Sequence, residues 1–243
     1  MKHASLFSGI GGFDLAADWA GFENIFNCEI NETCRKVLKY YWPNAIQHEE
    51  IQKADFKKYR GAVDILSGGF PCQPFSNSGK QLGQDDERFL YEDMLRAVQE
   101  IRPRWVIGEN VHGITSPKFA EVFEFICSSL EAEGYEVQPV IIPATAVEGE
   151  HERYRVWFIA YSGSIRQSRQ GSNYRQVQPN QVGNRKTSRF VNAVQGNSLP
   201  FVCREHNGIS RRLDEEALHG FGNAIVPQIA YNIFTTIKEF ENE

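Results

Sequence analysis

Short runs rich in β-branched and aromatic residues alternate with helix-like stretches from Met1 to about Ser162, a pattern that confines this part of the chain to an α/β sheet covered by helices. Strands are predicted at 3–7, 25–29, 63–67, 105–108, 137–142 and 156–160, and helices at 14–20, 32–41, 91–101 and 118–133. The last of these helices puts Phe119, Val122, Phe123, Ile126 and Leu130 on one face and stops at Gly134. Between 163 and 207 periodicity gives way to Gln, Asn, Ser, Arg and Gly, a composition with too little apolar surface to offset its own ordering entropy. Helical spacing returns at 227–240 with Ile229, Ile233, Ile237 and Phe240. A helix so amphipathic should dock on the sheet, so the polar segment reads as an insertion: 1–162 is the body, 163–207 a small irregular lobe, and 208–243 the return to the body.

With 243 residues and 41% hydrophobic content, the chain can bury one substantial core and a small second lobe, but not two full domains. No apolar run reaches the ~18 residues a membrane helix needs, and the start MKHASLFSGIGG lacks a basic segment followed by a long apolar one. A soluble, cytoplasmic protein is therefore expected, with no membrane partner. The five cysteines are odd in number and show no Cys-x-x-Cys pair, which predicts a reducing compartment and no metal site. Cys28, Cys34, Cys127 and Cys203 read as ordinary thiols.

The net charge of −5 argues against a generic nucleic-acid binder, but the charge is segregated. From Tyr161 to Arg212 nine basic residues meet one acidic residue, a surplus of +8 that leaves −13 on the rest of the chain. Such a segment is either a solvated loop or a surface that displaces counterions from phosphates.

The first strand runs into Phe7-Ser8-Gly9-Ile10-Gly11-Gly12-Phe13-Asp14, a glycine turn opening a helix at a strand's carboxyl end, where open α/β sheets bind ligands. Gly-x-Gly also marks plain tight turns. Asp14 stands where a dinucleotide fingerprint would have its third glycine, which argues against a nicotinamide site. The second strand ends in Glu29, placed either to accept hydrogen bonds from ribose hydroxyls or as a surface charge. In Gly68-Gly69-Phe70-Pro71-Cys72-Gln73-Pro74-Phe75-Ser76, two prolines bracket a cysteine and stiffen the loop, holding the thiol as covalent catalysis requires. Farther on come Glu109-Asn110-Val111 at a strand's end and Arg153-Tyr154-Arg155, whose arginines alternate onto one face as the next strand begins.

These motifs, in this order, resemble the cytosine-5 DNA methyltransferase family: SLFSGIGGFDLA its methionine-binding loop, CEIN its ribose-binding strand, GGFPCQPFS its nucleophile loop, ENV its glutamate motif, HERYR its arginine motif and GFGNAIVPQIA its closing motif. The resemblance implies a Rossmann-like class I methyltransferase sheet with helices on both faces and a reduced target-recognition lobe at 163–207. It implies S-adenosylmethionine as cofactor, with S-adenosylhomocysteine as product. Duplex DNA would be the substrate and a cognate restriction endonuclease a companion, and a monomer would suffice for the chemistry. Cys72 would add to carbon 6 of a flipped-out cytosine, Glu109 would hold and protonate ring nitrogen 3, and Arg155 with Arg153 would fix the base carbonyl and the loop. Phe7, Ser8, Gly9, Gly11, Gly12, Glu29, Ile30, Leu90, Asn223 and Ala224 would form the cofactor pocket, and Gln73 and Ser76 would approach the DNA backbone.

The sequence departs from the family pattern in three places. Glu50, followed by Ile51, stands where an Asp usually meets the adenine amino group. His151 replaces the usual Gln of the arginine motif. The segment between the arginine and closing motifs is short, which predicts a short target or relaxed specificity. The rival readings are a tRNA cytosine methyltransferase, an inactive DNA-binding relative that kept the fold, and a nicotinamide oxidoreductase. The tRNA enzymes' Pro-Pro-Cys-Gln and Cys-Phe-Thr elements do not occur, and Cys72, Glu109 and Arg155 are all present.

Overall fold

The computed structural model describes residues 1–71, 90–147, 153–163 and 224–242. Among them, β1 (Lys2–Leu6), α1 (Gly12–Trp19), β2 (Glu23–Cys28), α2 (Glu32–Tyr41), β3 (Ile46–His48) and β4 (Ile65–Gly69) come first. There follow α3 (Tyr91–Ile101), β5 (Trp105–Val111), α4 (Ala120–Ala132), β6 (Glu136–Pro143), β7 (Tyr154–Tyr161) and α5 (Pro227–Asn242). The strands form one seven-stranded sheet in the order β3-β2-β1-β4-β5-β7-β6. β1 to β5 run parallel, whereas β7 is antiparallel to both β5 and β6.

Side chains alternate across each strand, so the sheet feeds two cores. Leu6, Leu66, Val106 and Phe158 point to one face and meet Tyr91, Met94, Val98 and Ile101 of α3 with Ile126 and Leu130 of α4. Ile65, Trp105, Ile107, Trp157 and Ile159 point to the other and meet Phe13, Ala16 and Ala17 of α1 with Ile229, Ile233, Phe234 and Ile237 of α5. Both faces are thus covered, so consecutive apolar residues are buried in β4 (Ile65, Leu66) and β5 (Trp105, Val106, Ile107), and even the polar His3, Ser5 and Ser67 are buried. The expected α/β sheet with helices on both faces is borne out.

The last helix docks as its spacing predicts. Each of its buried Ile and Phe side chains contributes about 1.5–3 kcal/mol. Its end is anchored too: the Phe240 ring meets Trp105 and Tyr161, Trp105 Nε1 donates to Glu241 Oε1 at 3.0 Å, and Arg104 pairs with Glu241.

Local signals explain the helix ends. Asn31 Oδ1 accepts from Cys34 N at 3.0 Å and caps α2, Glu92 and Asp93 favour the first turn of α3, and Gly134 follows α4 with φ 86°. Five strand expectations need correction. β2 begins at Glu23 instead of 25, and β4 runs over Ile65–Gly69 instead of 63–67. β3 was absent from the sequence reading, because a three-residue edge strand is too short to show an alternation. β5 runs on to Val111 instead of stopping at Gly108, since β7 supplies ladder partners as far as Arg155. β7 itself begins at Tyr154, ahead of the predicted 156.

Candidate active site

The strand order reverses between β1 and β4, so the crevice beyond their carboxyl ends is the place where a sheet of this kind receives a ligand. Five described segments converge there: the turn after β1, the ends of β2, β4 and β5, and the start of β7, whose antiparallel direction brings its first residues to the same edge.

The turn after β1 takes left-handed backbone at Phe7 (φ 51°), Gly9 (54°) and Gly11 (91°). The two glycines serve different ends. A Cβ on Gly11 would lie 2.3 Å from the Trp42 ring, whereas one on Gly9 would meet nothing within 4 Å. Gly11 is therefore a packing glycine and Gly9 faces free space. A Cβ on Gly12 would lie 2.6 Å from Ile225 Cγ1. Ser8 is buried and does not open to the crevice, its hydroxyl lying 2.7 Å from Ser5 Oγ.

Glu29 stands just past β2. Its two carboxylate oxygens accept from Gly9 N (2.7 Å) and Asn31 N (2.8 Å), so it ties the glycine turn to the second strand. Each oxygen keeps a further lone pair for a hydroxyl. Ile30 beside it is 74% exposed and offers apolar surface next to the carboxylate. Glu50 is bound to Lys53 in an exposed ion pair, Ile51 is buried in the core, and Leu90 precedes α3.

At the far side, Glu109 is nearly buried within β5, paired in register with Gly69 of β4 and Trp157 of β7. A Cβ on Gly69 would lie 3.4 Å from Glu109 Oε2. Arg155 Nε lies 2.9 Å from Glu109 Oε1, yet Oε1 has no aligned hydrogen-bond donor among the described residues, so the contact is a close ion pair. Burial pushes the Glu109 carboxyl above the usual carboxylate range, and the charges of Arg155 and then Arg153 hold it back. Arg153 is half-buried, and its Nε has no partner among the described residues. The arrangement provides a buried carboxyl of raised proton affinity and two guanidinium groups at one strand edge.

Three contributors escaped the sequence reading. Asn110, inside the recognised ENV motif, donates from Nδ2 to the carbonyl oxygen of Phe70 at 3.1 Å. Ile225, inside the closing motif, lies over both Gly12 and Gly69. Ser5 and Asp14 form a buried polar pair beneath the glycine turn, and only the i, i+2 placement of Ser5 relative to His3 on β1 hints at it. Ala224 is described and half-buried. Cys72, Gln73, Ser76, His151, Asn223 and Cys203 lie outside the described residues, as does all of the 163–207 lobe except Gly163. The thiols that are described are unreactive in character: burial pushes Cys28 up to about 12 and Cys127 to about 11, and raises Cys34 as well.

Comparison with known proteins bears on the whole arrangement. The family model described as C-5 cytosine-specific DNA methylase matches residues 1–216. The Type II methyltransferase M.HgiCII of Herpetosiphon aurantiacus is 28% identical over 243 residues, which is 100% of this chain and 54% of that protein. The Type II methyltransferase M.PspPI of a Psychrobacter strain is 39% identical over 134 residues, 54% of this chain and 32% of that protein. A prophage-encoded Escherichia coli chain, titled as a DNA modification methyltransferase, superposes with TM-score 0.58 at 27% identity, covering 68% of this chain and 48% of that one. A Spodoptera frugiperda DNMT2 mutant shares the fold with TM-score 0.56 at 23% identity, over 67% of this chain and 50% of that one. The chain thus spans about a third to a half of the length of the curated relatives just described.

Proposed function

The chain belongs to the C-5 cytosine-specific DNA methylase family, and on that premise we propose that it methylates carbon 5 of cytosine in duplex DNA with S-adenosylmethionine as cofactor. The observation that carries this reading is the buried Glu109 carboxyl, paired with Arg155 and set beside Gly69 on the strand that leads into the Pro71-Cys72 loop.

Burial raises the proton affinity of the Glu109 carboxyl, which suits it to present a proton to ring nitrogen 3 of a pyrimidine. A hydrogen bond there withdraws electron density from carbon 6 and prepares that carbon for a thiolate. Cys72 is the attacking group: its thiolate bonds to carbon 6 and opens the carbon 5–carbon 6 double bond, and after carbon 5 is methylated, loss of the carbon 5 proton to solvent restores that double bond and releases the thiolate. Arg155, with Arg153 beside it, holds the base carbonyl and keeps Glu109 oriented. Because carbon 6 is hidden in stacked duplex, the base must leave the helix to meet these groups.

S-adenosylmethionine supplies an activated methyl group. The crevice suits it: Gly9 faces free space, Glu29 has lone pairs for ribose hydroxyls, and Ile30 offers an exposed apolar surface to a flat ring. Phe7, Ser8, Gly11 and Gly12 shape the turn, Glu50, Ile51 and Leu90 belong to the adenine side, and Asn223 and Ala224 close the pocket. No metal enters this scheme. Gln73 and Ser76 are assigned to the DNA backbone, and 163–207 to a target-recognition lobe whose basic surplus meets phosphates. The body at 1–162 and the return at 208–243 together hold the chemistry. A cytoplasmic monomer accompanied by a cognate restriction endonuclease fits this role. Among the described residues no helix is long and apolar enough to cross a membrane.

The test is transfer of labelled methyl from S-adenosylmethionine to mixed-sequence duplex DNA, with wild type beside Cys72→Ala. Label on cytosine carbon 5 from the wild type and none from the variant is expected. Wild-type transfer to tRNA with none to DNA overturns the choice of substrate.

A further inference from the structure

The turn from 7 to 11 holds an unfavourable backbone, and Phe7 bears the cost: at φ 51° its Cβ crowds the following carbonyl. A residue in that state persists only where its surroundings hold it. The surroundings are a buried chain of polar groups. Ser8 N donates to Cys28 O at 3.1 Å, and Cys28 N donates to Ser8 Oγ at 3.1 Å. Ser8 Oγ lies 2.7 Å from Ser5 Oγ, which in turn lies 3.0 and 2.9 Å from the two carboxyl oxygens of Asp14. With Asp14 ionised, the single Ser5 proton goes to its carboxylate and Ser8 can donate to Ser5; Ser8 Oγ also lies 3.3 Å from the carbonyl oxygens of Ser5 and Cys28.

Asp14 is fully buried, and its carboxyl meets the Ser5 hydroxyl and a backbone N–H with no cation in salt-bridge contact among the described residues. Burial lifts its carboxyl to about 7, a burden on folding that a similar-sized apolar side chain would not impose. A costly group placed directly under a strained ligand turn points to a role in that turn.

We propose that Asp14 is a positioning residue for the cofactor: acting through Ser5 and Ser8, it holds the Phe7 and Gly9 backbone in the shape that keeps the space beside Gly9 open to S-adenosylmethionine. The proposal rests on the function proposed above. Asp14 does not touch the ligand. Asn at this position preserves the order of the chain, because its carbonyl oxygen accepts from Ser5 and its amide donates to a free Ser5 lone pair. Leu removes the end of the chain and leaves the Ser5 hydroxyl without its acceptor.

The experiment is calorimetric titration of the full chain with S-adenosylhomocysteine, for wild type, Asp14→Asn, Asp14→Leu and Ser5→Ala, alongside thermal unfolding of each without ligand. Asp14→Leu and Ser5→Ala are expected to bind about tenfold more weakly or worse, Asp14→Leu with an unfolding midpoint at or above that of the wild type and Ser5→Ala with a lower one because it strands the buried carboxyl, while Asp14→Asn stays within about threefold. Unchanged affinity in Asp14→Leu overturns the proposal. So does an affinity loss that comes with a lowered midpoint in both Asp14 variants, since the residue then serves the fold alone. A wild-type chain that does not bind sinks the proposed function and this inference together, whereas the other two results sink only the inference.

Discussion

Asn110 Nδ2 donates across 3.1 Å to the carbonyl oxygen of Phe70, so the residue after Glu109 holds the peptide that leads into Pro71 and Cys72. Its own Oδ1 accepts from Val111 N at 2.8 Å, which fixes the amide in that orientation. Glu109 and the peptide preceding Pro71, which leads to the proposed nucleophile, are therefore tied through adjacent residues of one strand, although about 40 positions separate them in sequence.

Replacing Asn110 by Ala should lower the single-turnover rate of methyl transfer by roughly 10- to 100-fold, because small misplacements of a reacting group are amplified in rate. The fold should lose about 1–3 kcal/mol through the unsatisfied Phe70 carbonyl. Binding of S-adenosylhomocysteine should hold near the wild-type value. A rate equal to wild type in rapid-quench measurements would remove Asn110 from the positioning of the loop.

The Arg155 guanidinium beside Glu109 offsets the upward push of burial on that carboxyl. Arg155→Met should therefore raise the pH at which Glu109 loses its proton, as read from its carboxyl stretch by difference infrared spectroscopy, with Glu109→Gln used to assign the band. A titration at the same or lower pH would show that the ion pair does not set the acid's strength. Glu109→Gln should cost about 100- to 10,000-fold in methyl transfer, the usual span for loss of a general acid.

Asp14 and His3 make opposite pH contributions to stability. Asp14 rises from 3.8 to about 7 on folding, so between those values the folded chain holds a proton that the unfolded chain has lost, and stability falls as pH rises. His3, buried and lowered from 6.5 to about 4, leaves the extra proton on the unfolded chain, and stability rises with pH across that window. Relative to wild type, Asp14→Asn should therefore gain stability by about 1.4 kcal/mol per pH unit from near pH 4 to near pH 7. His3→Gln should lose ground to wild type over pH 4 to 6.5. Urea unfolding at half-unit pH steps reads both slopes, and parallel curves for wild type and Asp14→Asn would contradict the burial of a titrating carboxyl.

The two positive-φ glycines of the turn should respond differently to Ala. In Gly11→Ala the new methyl meets the Trp42 ring, which Asp18 holds by a 2.7 Å hydrogen bond, so strain and overpacking add to about 2–5 kcal/mol. Gly9→Ala enters open space and should cost only the backbone strain of about 1–2 kcal/mol, yet weaken S-adenosylhomocysteine strongly if the proposed cofactor site uses that space. Equal destabilisation of both variants in thermal unfolding would refute the division of labour between them.

Much of the molecule is written in local pattern. The bounds of α2 and α3 coincide with the predicted 32–41 and 91–101, because capping residues and 3.6-residue spacing act within a few positions of each other. The motifs around Gly9, Glu29, Cys72, Glu109 and Arg155 were legible in their order, since each is a short run whose chemistry is stated by its own residues. Tertiary structure alone decided what those runs do together. Strand order placed β4 between β1 and β5, and the reversed direction of β7 carried Arg155 to Glu109 across 46 positions of chain. It also buried Asp14, which by sequence is an ordinary acidic residue in a first helical turn, where the Ser5 hydroxyl meets both of its carboxyl oxygens. The reason is physical: periodicity and capping depend on neighbours along the chain, whereas the burial that shifts a carboxyl and the pairing that fixes it depend on which strands the whole sheet brings side by side.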